Sequence, residues 1–378
     1  MAILAGWVLS TVLNPGLCAG FVRVERLPVG AVQPKLTQSF DGSIHLIYLA
    51  GDSRASDVFY QTMPPRATAW STPLKVNSQS GCAIAIGTIR GADLAIGRDG
   101  QVHVVWNGSD KATSRRKSSS PLLYTRKSKS ALSFEPERNL IQTTRHLDGG
   151  GTVAADAGGN VYVLWHASGP DVADGEEART VFLTQSSNDG ASFTPERSIS
   201  PASMGACGCC GMSAITDSHG NVYGLFRAAG HREDRDSILL RSTDHGLSFT
   251  TRTLETWKGT QCPMSLPSLS TTADGVIISW ETGRLVASEV VGPNASVQKL
   301  NPTGSGKRKH PVTVQNRVGQ RLMVWSEGTG WQKGGAVEWQ LFDAKGTPIG
   351  SPERREGLPV WSRPAAVVDA ADNFLVIW

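Results

Sequence analysis

Apolar and polar residues alternate along most of this chain in short runs, each introduced by a turn and closed by an aromatic. One run reads Asp41-Gly42-Ser43-Ile44-His45-Leu46-Ile47-Tyr48 and the next Asp99-Gly100-Gln101-Val102-His103-Val104-Val105-Trp106. Gly158-Gly159-Asn160-Val161-Tyr162-Val163-Leu164-Trp165 and His219-Gly220-Asn221-Val222-Tyr223-Gly224-Leu225-Phe226 repeat the pattern, and weaker copies end at Trp280, Trp325 and Trp378. A period of two is the signature of strands, and no stretch sustains a helical period. The closing aromatics fall 45 to 61 residues apart, which leaves room for four short strands and their loops. Self-similarity at such spacing marks a repeat architecture.

A small-residue stretch precedes each turn, while a second apolar run and then a more polar one follow each aromatic. We name these strands A to D, from the axis outward. The pattern predicts an all-β fold, a β-propeller of four-stranded blades with seven A–B strand pairs, six blades being the alternative count. The chain ends after strand B of the seventh copy. Residues 21–27 are therefore expected to add an outer strand there and close the ring, leaving no open sheet edge. Residues 21–378 read as a single propeller domain.

Composition changes this picture little. With 41 Gly, 20 Pro and 11 Trp in 378 residues, the chain suits many turns and aromatic-capped strands. A net charge of +4 does not call for nucleic acid, and Arg115-Arg116-Lys117 in a Ser-rich stretch reads as a solvated loop. Residues 1–20 read as a signal peptide, mostly apolar from Ala2 to Leu13 and ending in the small residues of Cys18-Ala19-Gly20, although a basic start is missing. The expected protein is secreted or periplasmic and monomeric, with no integral membrane segment once mature, and it retains five cysteines.

The turn after strand C carries the most specific motif. Ser242-Thr243-Asp244-His245-Gly246-Leu247-Ser248-Phe249 fits Ser-x-Asp-x-Gly-x-Ser-aromatic, and Ser186 to Phe193 fits with Asn188 at the Asp position, Gly190 at the Gly and Phe193 as the aromatic. The carboxylate or amide accepts turn N–H groups, Gly246 takes positive φ and Phe249 plugs the space between strands. These residues are structural. On them the chain resembles the Asp-box (bacterial neuraminidase repeat) propellers of the sialidase superfamily. It is similar, more narrowly, to exported bacterial sialidase-like proteins that carry Cys-x-Cys-Cys and Cys-Pro-Met, present here at Cys207, Cys209, Cys210 and at Cys262, Met264.

The resemblance implies a glycan or other small anionic ligand. Sialidases clamp a carboxylate with three arginines and use a Tyr–Glu nucleophile with an Asp acid/base. Their first inner strand carries Arg-Ile-Pro, where this chain reads Pro34-Lys35-Leu36, and all five Tyr lie at or before 223. Standard sialidase catalysis is not expected; any enzymatic activity would be that of a sialidase-like glycoside hydrolase.

Propeller topology puts the D–A and B–C loops on one face and the Asp-box turns on the other. The first face collects Lys35, Arg90, Asp148, Lys309, His310 and Arg363 from D–A loops and A strands. Asp52, Asn107, His166, Arg227, Glu281 and Glu327 join them from the ends of B strands. They are either a solvated rim or the lining of an axial pocket. In the second case Lys35, Arg90, Asn107, His166, Arg227, Lys309, His310 and Arg363 are candidate ligand-binding residues. Asp52, Asp148, Glu281 and Glu327 are then the candidate acid/base carboxylates, two of which must oppose each other for hydrolysis. The cysteines offer a second chemistry. Disulfides are the default in an oxidising compartment, for instance Cys207 or Cys209 to Cys262. Alternatively Cys207, Cys209, Cys210, Cys262 and Met264 form a soft site for copper, or for zinc if Met264 stays out. No other cofactor is indicated. A scaffold whose face binds another protein is the third reading.

Overall fold

The computed structural model describes residues 20–113, 120–172, 175–231, 233–259, 263–273, 275–283, 285–292 and 299–378. All of the expected signal peptide but Gly20, the basic run at 115–117 and Cys262 lie outside them. Among the described residues the chain is all-β with seven blades in a ring, which decides the count against six. The inner strands are Ala31–Gln38, Asp93–Ile96, Thr152–Ala155, Ser213–Thr216, Ser268–Thr272, Arg308–Gln315 and Ala365–Val368. Each pairs antiparallel with the B strand that follows it and packs beside the inner strand of the next blade, the last against the first. Five blades have four strands. The fifth and seventh have three, and the D strands of the first three blades are only two residues long.

The seventh blade is completed from the other end of the sequence. Val22–Glu25 lies parallel to Phe374–Ile377 in register Val22↔Phe374 to Glu25↔Ile377. Beyond that ladder, Leu27 N–H bonds the Trp378 carbonyl at 2.8 Å and the Arg26 guanidinium stacks over the Trp378 ring at 4.1 Å. The Arg26-Leu27-Pro28 segment therefore belongs to this seam and not to the axis.

The blades cohere through seven apolar clusters, each shared by two neighbours. Ile47 and Leu49 of the first blade pack with Val104 and Trp106 of the second, whereas Leu46 and Tyr48 turn the other way, to Leu375 and Ile377 of the seventh. Successive side chains of a strand point to opposite faces, and in a propeller both faces of every sheet are covered. That is why the B strands read as nearly unbroken apolar runs. Trp106, Trp165, Trp280 and Trp325 are all fully buried at equivalent places, and Trp165 Nε1 donates to Thr144 Oγ1 at 3.1 Å.

The Asp-box turns form the outer rim of the opposite face. Asp244 Oδ1 accepts from Ser242 Oγ at 2.7 Å and from Ser248 N at 2.9 Å. Asn188 Oδ1 takes both places in the third blade, at 2.8 and 2.9 Å, so an amide oxygen suffices. Gly246 has φ +80°, and a Cβ there would meet Tyr162 Cε1 at 2.9 Å. Phe193 packs edge-on against Tyr124 of the preceding blade. These turns thus staple neighbours as well as closing hairpins.

Because Trp165 fills the junction of two blades, Trp165→Ala should cost about 3–5 kcal/mol of unfolding free energy. Urea denaturation followed by circular dichroism checks this; a loss under about 1 kcal/mol would mean the blades pack loosely there.

Candidate functional site

The axial channel encloses about 340 Å³ and is lined by all seven inner strands. Its two ends differ. At the D–A end Ile89, Met212 and Arg363 are buried, while Gln38 and Thr271 at the other end are exposed. The stopper is the loop between the first two blades. Its Ile89 carbonyl accepts from Gly150 N at 3.0 Å, and Ile89 Cβ would lie 3.5 Å from a Cβ on Gly211. Glycine is required along this mouth. A Cβ on Gly149 would stand 2.0 Å from the Cys210 carbonyl oxygen, and one on Gly150 2.5 Å from that of Ile89.

Around the stopper the polar residues form pairs between adjacent blades. Lys35 Nζ meets Asp93 at 2.9 Å, and Arg363 Nη1 donates to the Pro34 carbonyl at 3.0 Å. Arg90 pairs with Asp148 and donates to its carbonyl at 3.0 Å, and the same carbonyl takes Asn107 Nδ2 at 3.1 Å. Glu327 Oε1 accepts Lys307 N at 2.6 Å. Asp52 is exposed in its hairpin, where it accepts Arg54 N at 2.8 Å. The four candidate carboxylates are thus dispersed over different blades, and one oxygen each of Glu281 and Glu327 is buried without a hydrogen-bond partner.

The remaining candidates do come together, where the third to sixth blades meet. Arg227, 5% exposed, donates to the carbonyls of Arg235 and Glu281 and, at 3.3 Å, to Ser265 Oγ. Burial raises the pKa of Glu281 against the pull of Lys309 and Arg227. His310, buried at φ +53°, is held well below its usual pKa by burial and by the charges of Lys309 and Arg363. Lys309 Nζ donates to the Pro263 carbonyl. His166 Nε2 lies 2.8 Å from the Cys210 carbonyl. A carbonyl only accepts, so Nε2 carries the proton and Nδ1 is left bare and buried.

The Cys-x-Cys-Cys loop is the centre of this cluster. Cys207 N donates to the Arg227 carbonyl at 2.9 Å and Cys210 N to the Cys207 carbonyl at 3.2 Å. Gly211 N reaches the Ser265 carbonyl at 2.8 Å, so Met264 is one residue from a backbone contact to this loop. The three sulfurs lie within 4.8 Å of one another, a group able to hold a metal. Cys207 and Cys209 are 3.4 Å apart. Cys209 is disulfide-bonded, whereas Cys207, Cys210 and the remote Cys82 are thiols. Burial pushes the Cys210 thiol up, but a hydrogen bond from Cys207 and the Arg227 charge outweigh it and bring its pKa below the ordinary value. Cys207, which donates that bond, is raised.

Sequence reasoning missed several participants. Glu176 accepts Gly208 N at 2.8 Å and pairs with Arg235 at 3.1 Å, and Arg179 lies against Gly208. Both come from a B–C loop whose course the strand pattern did not fix. Trp331 and Trp361 meet with ring centroids 6.1 Å apart. Their signal was present, two tryptophans outside the strand-closing positions, but its meaning depends on the two loops meeting.

The chain is a seven-bladed propeller with Asp-box turns on one rim, similar in fold to solved sialidase structures. No protein-family model matches the sequence, and no curated protein does. Among solved structures, the chain is similar to a protein of unknown function from Dyadobacter fermentans, with a TM-score of 0.52 and 12% identity over 86% of this chain and 94% of that one. It is also similar to a mutant of the NanB sialidase from Streptococcus pneumoniae, TM-score 0.53 and 8% identity over 80% of this chain and 66% of that one. The likeness is one of fold.

The buried imidazole of His166 yields a pH test. Its pKa falls to about 4, chiefly through burial and then the Arg179 charge. Below the ordinary pKa the unfolded chain takes up a proton that the folded chain refuses, so stability falls as pH drops from about 6.5 to about 4. Between pH 7 and 5, His166→Gln should lose about 2 kcal/mol less stability than the wild type. Urea midpoints at the two values measure this, and equal losses would contradict a neutral buried His166.

Proposed function

We propose that this chain is an exported propeller that binds a glycan on its D–A/B–C face without cleaving it. One observation carries the reading: the Trp331 ring is half exposed on that face, backed by Trp361. It lies beside the stopper loop, where its Cζ3 would be 3.7 Å from a Cβ on Gly87, with the Arg90 guanidinium 3.1 Å from the same point. The apolar face of a sugar ring packs on an exposed indole, and the Arg90 guanidinium beside it is held in place by Asp148. The ligand would lie across the stoppered mouth.

Binding without hydrolysis is favoured by the placement of the acids. Two carboxyl groups must face one bond for glycoside hydrolysis, and Asp52, Asp148, Glu281 and Glu327 stand at different blades. All five Tyr are buried among strand side chains, which speaks against a tyrosine nucleophile. Export is supported by the composition of residues 1–20 and by the disulfide at Cys209, which suits an oxidising compartment. Among the described residues, no helix is long and apolar enough to cross a membrane.

Trp331→Ala should weaken binding to a retained glycan at least about tenfold while leaving the melting temperature unchanged, as expected of an exposed aromatic anchor. A glycan array followed by titration calorimetry on wild type and variant tests it. Equal affinity in the variant, or release of free sugar by the wild type, would refute the reading.

A further inference from the structure

The cysteine cluster is buried beneath the same D–A/B–C face, with Cys207 and Cys210 fully enclosed, and has features that glycan binding does not use. Its loop is pinned on every side: Cys207 and Cys210 by backbone bonds, Gly208 N by Glu176, the Cys210 carbonyl by His166. Such a loop holds three sulfurs in one fixed group within 4.8 Å. Three guanidinium groups surround it. Arg179 lies against Gly208, where a Cβ would be 2.6 Å from its Nη1. The charges of Arg235 and Arg227 act on Cys207 and Cys210 respectively. Arg227 and Arg235 are each only 5% exposed, and the Nε of all three arginines is buried with no hydrogen-bond acceptor. Buried cationic donors left without acceptors are costly, and here they surround sulfur, which becomes an anion when it ligates a metal.

We propose that Cys207, Cys209 and Cys210 form a redox-gated site for one copper(I) ion. Three thiolates are a soft set that suits trigonal Cu(I), whereas a structural zinc site takes four ligands. A Cu(I) tris-thiolate carries a net charge of −2, which the Arg179 and Arg227 guanidinium groups offset, the Arg235 charge being paired with Glu176. The gate is Cys209. While it is disulfide-bonded, only two thiols face the site. An external dithiol breaks that disulfide by exchange, giving up two electrons and two protons and becoming a disulfide itself. Cys209 and its former partner are left as thiols. Cu(I) then binds the three sulfurs and displaces three protons to solvent.

The test uses the full mature chain, anaerobically, in dithiol-reduced and oxidised forms, titrated with Cu(I) in competition with a chromophoric Cu(I) chelator. The reduced form should hold one Cu(I) per chain with three sulfur neighbours by X-ray absorption, and the oxidised form should bind at least about a hundredfold more weakly. Cys207→Ser and Cys210→Ser should each lose roughly a hundredfold in affinity, and Cys82→Ser, at a remote junction, none. Arg179→Gln removes no ligand and guards against misfolding of the cysteine variants; it should weaken Cu(I) about tenfold. Equal affinity in both redox forms would overturn the proposal. So would nitrogen or oxygen neighbours in place of sulfur, or Cu(I) retention undiminished in a folded Cys207→Ser protein.

Discussion

The constraint on which the rest depends is closure of the ring. Each blade has two apolar faces and can bury both only between two neighbours. In an open arc the terminal blades would expose a face each, and the Leu46–Leu375 cluster between the first and seventh blades would be split. The four-residue parallel pairing of Val22–Glu25 with Phe374–Ile377 joins the two ends of the described chain at one blade. It is a small contact with a large consequence, because chain ends left untethered fray. Packing of Arg26 on Trp378 and the bond from Leu27 to its carbonyl extend the seam beyond the ladder.

Closure also explains what became of the charged residues at the loop face. Once seven blades converge, the ends of the B strands lie against neighbouring D–A loops, and a polar side chain there finds a backbone carbonyl or an opposite charge before it finds water. Arg227, Arg363 and Lys309 all bond carbonyls of another segment. Asn107 does the same for the residues ahead of the third blade. The price is a set of buried ionisable groups, and His166, His310 and Glu281 are each shifted toward the neutral form. The same crowding brings three sulfurs and three guanidinium groups into one place.

Much of the fold was legible in the sequence because its signal is local. Alternation, turn residues and a closing aromatic at each of Tyr48, Trp106, Trp165 and Phe226 specify a strand and its register without knowledge of what it touches. The Asp-box turn was equally legible, since Ser242, Asp244 and Ser248 bond one another. The site was not. Position at the end of a B strand predicts a face, yet not whether a side chain points to solvent or across to the next blade. Ile89 gave no sign that its loop would stopper the channel, and Trp331 and Trp361 are 30 residues apart in sequence. The Cys-x-Cys-Cys spacing announced a cluster; which sulfur is bonded is a property of the packed loops.

Peptide-resolved hydrogen–deuterium exchange at the seam tests closure most directly. In a closed ring, the Val22–Glu25 amides that bond across the ladder and the amides of Phe374–Ile377 exchange only with global unfolding, at the rate of the buried strand Val161–Ala167. Exchange at the seam orders of magnitude faster than in that strand would show that the ends are not joined, and the account would fail.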